Sequence, residues 1–253
     1  MSIKLGNVVS EGKSKKFYEV NGLDNVYFMV FKPHLRSITS KREENIEGTD
    51  IARLIANTKI MEYLSSSGIP TQLVGSNTIE VNKETGIMVE AVKPFPVEFI
   101  CRYRAAGSIV RLYPSLVKEG MVFKTPLYKY DLKQDIKVAG VDDPPLFENY
   151  IIGLGIMTDE QFSKANTLLK KIGSHMVTLL DEMDMYLIDM KMEFGLNSKG
   201  EVILIDEISQ DCIRANDIKT NEPMTKDAFR NMKSDKEVLN KYIEFNERLL
   251  KVL

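Results

Sequence analysis

The chain has 253 residues, 43% hydrophobic and 28% charged, and its 34 Lys+Arg against 36 Asp+Glu give a net charge of -2. At about 150 residues per domain this is one large domain or two modest ones, long enough to bury roughly 70–75% of its unfolded surface without metal or disulfide staples. The balanced charge argues against a general nucleic-acid binder, and the hydrophobic content argues against disorder. Two cysteines, Cys101 and Cys212, make no secreted disulfide framework, and the N-terminal residues contain no apolar stretch of signal-peptide type. The longest apolar run, Val26–Phe31, falls far short of the ~20 residues needed to cross a bilayer. These features predict a cytoplasmic protein with no membrane span and no nucleic-acid partner.

In chain order, the first hundred residues carry short β-branched and aromatic runs at Phe17–Val20, Val26–Phe31, Thr78–Val81, Ile87–Val92 and Val97–Cys101. Turn residues separate them at Asn21-Gly22, Asp24-Asn25, Gly75-Ser76-Asn77, Gly86 and Pro94–Pro96. Such short spacing predicts antiparallel hairpins. One helix interrupts them: Ile51, Leu54, Ile55, Met61 and Leu64 fall near a 3.6 period from Thr49, with Gly68 as a stop. His34, beside Pro33, reads as a loop residue.

The second half reads differently. Thr158 to Gln161 has the form of a capping box, and Phe162, Ala165, Leu169, Ile172, Met176, Leu179 and Met183 make one apolar stripe down a long helix. His175 sits on that helix as a flank residue. A strand–turn–strand unit follows, with Met185–Gly195, a turn over Asn197–Gly200, and Glu201–Glu207. Thr225 to Leu253 is predicted helical, with a second capping box at Ser234–Glu237. The predicted class is α+β, with two lobes: β-rich over residues 1–94 and helix-rich over residues 95–253.

Four segments carry chemistry. In Glu11-Gly12-Lys13-Ser14-Lys15-Lys16-Phe17-Tyr18 a glycine and alternating lysines enter a strand, an arrangement in which backbone can approach a polyphosphate while ammonium groups neutralise it. It is neither a Walker A sequence nor a GxGxxG loop, and an exposed Lys-rich turn has the same composition. In Arg102-Tyr103-Arg104-Ala105-Ala106-Gly107-Ser108, two guanidinium groups precede small residues and a hydroxyl. That set suits an anion pocket, and it equally suits a helix N-cap at Ser108 flanked by surface arginines.

The third segment pairs Asp189, Lys191 and Glu193, which alternate on one strand and therefore share a face, with Asp206 and Glu207 at the end of an apolar strand. A carboxylate at such a place is costly without a partner. Two carboxylates with a lysine between them suit Mg²⁺ bridged to nucleotide phosphates, and an ion-pair network is the alternative. The fourth, Asp211-Cys212-Ile213-Arg214 followed by Lys226, Asp227 and Arg230, adds cations that surface ion pairs would also explain.

As an ordered set these segments resemble the SAICAR synthetase family, the ATP-dependent ligases of purine biosynthesis. Gly12–Tyr18 is similar to its GKxKxxY, Cys101–Ser108 to its VRNxAAGS, and Leu187–Gly195 to its LxDxKxEFG. Leu204–Arg214 is similar to its LxDEFSPDxxR, Thr225–Arg230 to its KDxFR, and Asp143-Pro144 to its DP after a short insertion. The resemblance implies a two-lobed fold related to ATP-grasp and kinase-like architectures, with nucleotide between the lobes and a homo-oligomeric assembly. It implies joining of a carboxyaminoimidazole ribonucleotide carboxylate to the amine of aspartate, through an acyl phosphate made from ATP. Both substrates are small molecules, and the cofactors implied are ATP and Mg²⁺.

By resemblance, Gly12, Lys13, Lys15, Lys191 and Glu193 bind the nucleotide, and Lys15, Lys191 and Asp206 are catalytic. Glu193 and Asp206 take the metal, while Arg102, Ser108 and Arg214 hold the substrate's ribose phosphate. Some positions depart from the family pattern. Pro33–Ser37 replaces an acidic Asp-x-x-(Ser/Thr)-Ala segment, Thr49-Asp50 a Lys-Gly, and Arg53-Leu54 a pair of Asn. Tyr103 replaces Asn, Gln210 replaces Pro, and Ala215-Asn216 stands in place of Leu-Trp. These changes motivate an alternative: a diverged ligase of the same type, using a different amine or nucleotide-like acid in a specialised pathway.

Overall fold

The computed structural model describes residues 3–75, 78–133 and 143–253; the Ser76-Asn77 part of one predicted turn lies outside them. Alternating apolar residues and tight turns build the first sheet. Strands β1 (Leu5–Glu11), β2 (Lys15–Val20) and β3 (Val26–Phe31) form an antiparallel meander. β3 then pairs with β7 (Glu84–Glu90), and β6 (Ile79–Val81) closes the edge, giving the order β1-β2-β3-β7-β6. Gly86 is needed where β7 crosses β3, since a Cβ there would lie 2.4 Å from the Met29 carbonyl oxygen.

His34, read as a loop residue from sequence, instead starts β4 (His34–Ser37), paired in a two-stranded ribbon with β5 (Arg42–Asn45). His34 and Arg36 alternate with buried Leu35 and Ser37, a period-2 pattern too short to stand out in the sequence.

A second, larger antiparallel sheet uses β8 (Lys93–Arg104), β9 (Val122–Leu132), β10 (Pro145–Leu146), β11 (Met185–Leu196) and β12 (Val202–Ile205), ordered β10-β9-β8-β11-β12. β13 (Ile213–Asp217) also pairs with β11. β12 and β13 share one edge of β11: β12 pairs residues 193–196, and β13 pairs residues 185–190. The chain between them, residues 206–212, therefore crosses beside Lys191, whose backbone N–H donates to the Cys212 carbonyl at 2.9 Å. That edge break brings the acidic strand end against the middle of β11.

The remaining elements are helical. They are α1 (Thr49–Ser66), α2 (Ser108–Leu112), α3 (Glu148–Gly153), α4 (Asp159–Glu182), α5 (Asp227–Arg230) and α6 (Asp235–Val252). Both predicted capping boxes form, at Thr158/Gln161 and Ser234/Glu237, each contributing about 1 kcal/mol. The region from Thr225 onward is thus two helices, because Ser234 starts a new one. α4 lays its predicted stripe on the second sheet, where Phe162, Leu169, Ile172 and Met176 pack with Phe99, Met190, Met192 and Phe194.

α1 serves three apolar clusters at once. Ile60, Met61 and Leu64 join the main core, Leu54 packs with Met29, Phe31, Ile87 and Val89, and Ala52 packs with Leu35, Phe229 and Tyr242. Burial on several sides explains a difference from the periodicity reading. Ile51 is exposed, whereas the polar Arg53 and Asn57 are fully buried. No helix among the described residues is long and apolar enough to cross a membrane.

Candidate active-site cleft

On β11 the even residues Met190, Met192 and Phe194 face the core, so Asp189, Lys191 and Glu193 point together into a cleft. Two cavities adjoin there, of about 230 Å³ and 210 Å³. Neither reaches the ~300 Å³ common for a small-molecule site, but both are walled by Lys191, Asp211 and Cys212. They are two halves of one groove.

The lysine half is an alternating chain of charges. Lys15, at the start of β2, pairs its Nζ with Asp206 and, at 2.9 Å, with Glu207 Oε2. Lys191 Nζ lies 2.5 Å from Glu193 Oε1, 3.2 Å from Glu98 Oε1 and 3.6 Å from Asp206 Oδ2. Lys133 Nζ reaches the other oxygen of Glu193 at 2.6 Å. Asp206 has a left-handed backbone with φ +65°. This conformation, which Asp tolerates better than most residues, turns the chain out of β12 and directs the carboxylate at both lysines.

Burial opposes the charge on Lys15 and on Lys191, yet the surrounding carboxylates hold both ammonium groups above the ordinary lysine range. Burial likewise opposes charge on Asp206 and Glu207, and the neighbouring cations hold both carboxyls below the usual range. These lysines are fixed cations, not proton acceptors.

The arginine half is organised by two carboxylates. Asp189 Oδ2 takes Arg102 Nε at 3.1 Å and Arg214 Nη1 at 2.9 Å. Asp227 takes Arg214 Nε at 2.6 Å and Arg230 Nη1 at 2.5 Å. Three guanidiniums thus stand over two carboxylates. Gly107 has φ +68° and approaches Arg214, whose Nη1 would be 3.4 Å from a Cβ at that position. Ser108 follows as the first residue of α2, with Gly107 rather than Ser108 as its N-cap.

The structure therefore gathers Lys15, Lys191, Glu193 and Asp206 at one end of the groove, with Arg102 and Arg214 at the other. Lys13 lines the lysine half but is largely exposed and reaches Glu43 at only 3.7 Å. Gly12 donates its N–H to the Lys15 carbonyl at 2.9 Å, closing the turn. A Cβ on Gly12 would meet only that carbonyl oxygen at 3.8 Å, so close packing does not demand glycine there. Sequence reading did not single out Lys133, a lone lysine with no motif, or assign a site role to Arg230, whose pairing with Asp227 is at i,i+3. Arg53 appeared only as a departure. Among the described residues no three His, Cys, Asp or Glu converge as a metal-ligand set.

An α+β fold with a buried lysine–carboxylate chain next to a cluster of arginines is a framework suited to an enzyme that handles phosphorylated substrates. The sequence pattern of the SAICAR synthetase family matches residues 8–246, and the chain belongs to that family. It is 33% identical over 246 residues to the phosphoribosylaminoimidazole-succinocarboxamide synthase of Methanopyrus kandleri, covering 97% of this chain and 94% of the relative. It is 34% identical over 224 residues to that of Methanosarcina mazei, with 88% and 89% covered. Among solved structures it is similar to a SAICAR synthetase in complex with ADP, with a TM-score of 0.85, 28% identity, and 97% and 98% of the two chains covered. The synthase of Ehrlichia chaffeensis also gives a TM-score of 0.85, at 25% identity and 96% and 98% coverage. The activity is that of the family, the ATP-dependent ligase step of purine biosynthesis, and a diverged ligase of other specificity is not favoured.

Proposed function

We propose that the lysine half of the groove holds the phosphates of ATP and the arginine half holds the ribose phosphate of the carboxylate substrate. The observation that carries this division is the different charge make-up of the two halves. Surplus guanidinium at Asp189 and Asp227 suits bidentate capture of a phosphate dianion by Arg102, Arg214 and Arg230, and Ser108 follows Gly107, which approaches Arg214. Lys13, Lys15 and Lys191 would neutralise the polyphosphate, with Gly12 shaping the turn that presents them.

The donor set fits Mg²⁺. Glu193 and Asp206 offer hard oxygen ligands on either side of Lys191, and a magnesium ion that draws its remaining ligands from phosphate and water needs only one or two carboxylates. Bound there, the ion would neutralise charge on the transferring phosphoryl group.

The chemistry follows from positioning. The γ-phosphoryl of ATP passes to a carboxylate oxygen of the imidazole substrate and ADP leaves. The aspartate nitrogen then attacks the acyl carbon, the C–N bond forms, and inorganic phosphate departs as the nitrogen sheds its proton. Lys15 and Lys191, permanently charged, hold the phosphates in line and stabilise charge without acting as bases. ADP release in the presence of carboxyaminoimidazole ribonucleotide, aspartate, ATP and Mg²⁺, with a product of the succinocarboxamide mass, is the expected result. Turnover only with another acid or amine would overturn it.

Large exposed apolar side chains on two segments, Leu112, Leu116 and Val122 on one and Phe147, Tyr150 and Leu154 on the other, support a homo-oligomer. Light scattering at working concentration reads this directly. The unbridged Cys101 and Cys212 favour a reducing, cytoplasmic setting.

A further inference from the structure

Arg53 is the largest fully buried side chain of the protein among the described residues, and it carries a charge. It reaches from α1 behind the lysine half and lines neither cavity. Its Nη2 donates to Glu207 Oε2 at 2.9 Å and its Nε to Glu207 Oε1 at 3.2 Å, a bidentate pair. Nη1 donates to the Lys32 carbonyl at 3.1 Å, and the guanidinium lies 5.2 Å from the centre of the Phe31 ring. Asp211 Oδ1 stands 3.8 Å from Nε, but that carboxylate is already engaged by Tyr242 Oη and by Lys226 Nζ, each at 2.7 Å.

Glu207 is thus shared. The oxygen that takes Arg53 Nη2 also takes Lys15 Nζ at 2.9 Å. A buried carboxylate needs close to one full positive charge opposite it. With Arg53 present, Glu207 is compensated from behind, and the charge of Lys15 is directed forward to Asp206 and the groove. Without Arg53, Lys15 is the nearest remaining cation, and its ammonium would be held by Glu207.

We infer that Arg53 is a positioning residue that sets, through Glu207, where the charge of Lys15 is spent. It neutralises Glu207 so that Lys15 is available to nucleotide phosphate. The inference rests on the reading above in which Lys15 binds those phosphates. Because Arg53 also grips the Lys32 carbonyl at the end of β3, it fixes the first sheet against the 206–212 segment of the second.

The test is a double-mutant cycle read by ADP binding, with KM values for both substrates. Arg53→Gln is expected to weaken ADP binding about tenfold while the KM for the imidazole carboxylate moves less than about twofold. Arg53→Gln/Glu207→Gln removes the stranded carboxylate too and is expected to bring ADP affinity back to within about threefold of the parent protein. Simple loss of packing predicts the opposite: lower thermal stability, unchanged ADP affinity in the folded fraction, and no rescue. If Arg53→Gln does not fold, the double variant and Arg53→Lys decide the matter. ADP binding weakened in Arg53→Lys, which loses the bidentate grip on Glu207, and restored in the double variant supports the inference; equal affinity in the two, or a tenfold loss in the double variant, overturns it. Lys15→Met separates the two readings. Loss of ADP binding in Lys15→Met with retention in Arg53→Gln overturns the Arg53 inference alone, whereas retention in Lys15→Met overturns the phosphate reading with it.

Discussion

On the reading proposed above both halves of the groove bind an anion, and they hold their cations in different ways. In the arginine half, Arg102, Arg214 and Arg230 stand over Asp189 and Asp227, three cations to two carboxylates. The carboxylates there align the guanidiniums and leave a positive surplus. In the lysine half, Lys15, Lys133 and Lys191 are engaged by Glu98, Glu193, Asp206 and Glu207, with Arg53 behind Glu207, while Lys13, Arg36 and Lys226 also line the cavity. A polyphosphate gains little from lysines already paired, so Mg²⁺ taking up Glu193 and Asp206, as proposed above, would release Lys15 and Lys191 to it. The difference teaches that a phosphate site is recognised by its uncompensated charge and not by its number of lysines.

The largest test strikes the proposed metal carboxylate. Asp206→Asn is expected to lower kcat by about 10²–10³-fold, the range for losing one preorganised electrostatic group at a reacting phosphoryl. Single-turnover kinetics at saturating substrates would check it, and retention of near-full kcat would erase the distinction between the halves. Acid titration is next. Burial favours the neutral form of Glu207, but Arg53 and then Lys15 hold its carboxyl well below the ordinary 4.5. Its contribution is therefore complete above the unfolded value and is lost as pH falls below it. Denaturant unfolding should show stability falling as the pH drops from 5 towards the acid limit, and the Glu207→Gln protein should lack that component. Arg214→Ala sharpens the contrast with a smaller effect. The KM for the ribonucleotide carboxylate should rise about tenfold while the KM for ATP stays within twofold, because on the proposed division the arginine half would bind ground and transition state alike.

Much of this was legible in the primary structure, and for identifiable reasons. The stripe from Phe162 to Met183 repeats at the helical period for several turns, and both capping boxes are local signals closed within four residues. Asp189, Lys191 and Glu193 could be placed on one face because a strand has period two. Lys13 and Lys15, alike as residues in a motif, could not be told apart: the first is solvent-facing, and the second enters the buried chain of charges. β4 was missed because four residues alternating between polar and apolar carry too little pattern. β9, with Lys124, Lys129 and Asp131 along it, and β13, with Arg214, Asn216 and Asp217, were missed because their polar faces line the groove or the surface.

Arg53 shows the limit most clearly. On an amphipathic wheel it is a surface residue beside Leu54, and the expectation made Ile51 part of the buried face in its neighbourhood. The fold inverts that, exposing Ile51 and burying Arg53, because α1 is covered on several sides and Glu207 waits across the interface. Local periodicity, capping and ordered motifs, which depend on neighbours in sequence, determined the element types, the α+β class and the family. Which charges meet depends on residues as far apart as 15 and 206, or 53 and 207. Only the tertiary structure could decide those partners, since Coulomb interaction and desolvation follow distance and burial in space and not separation along the chain.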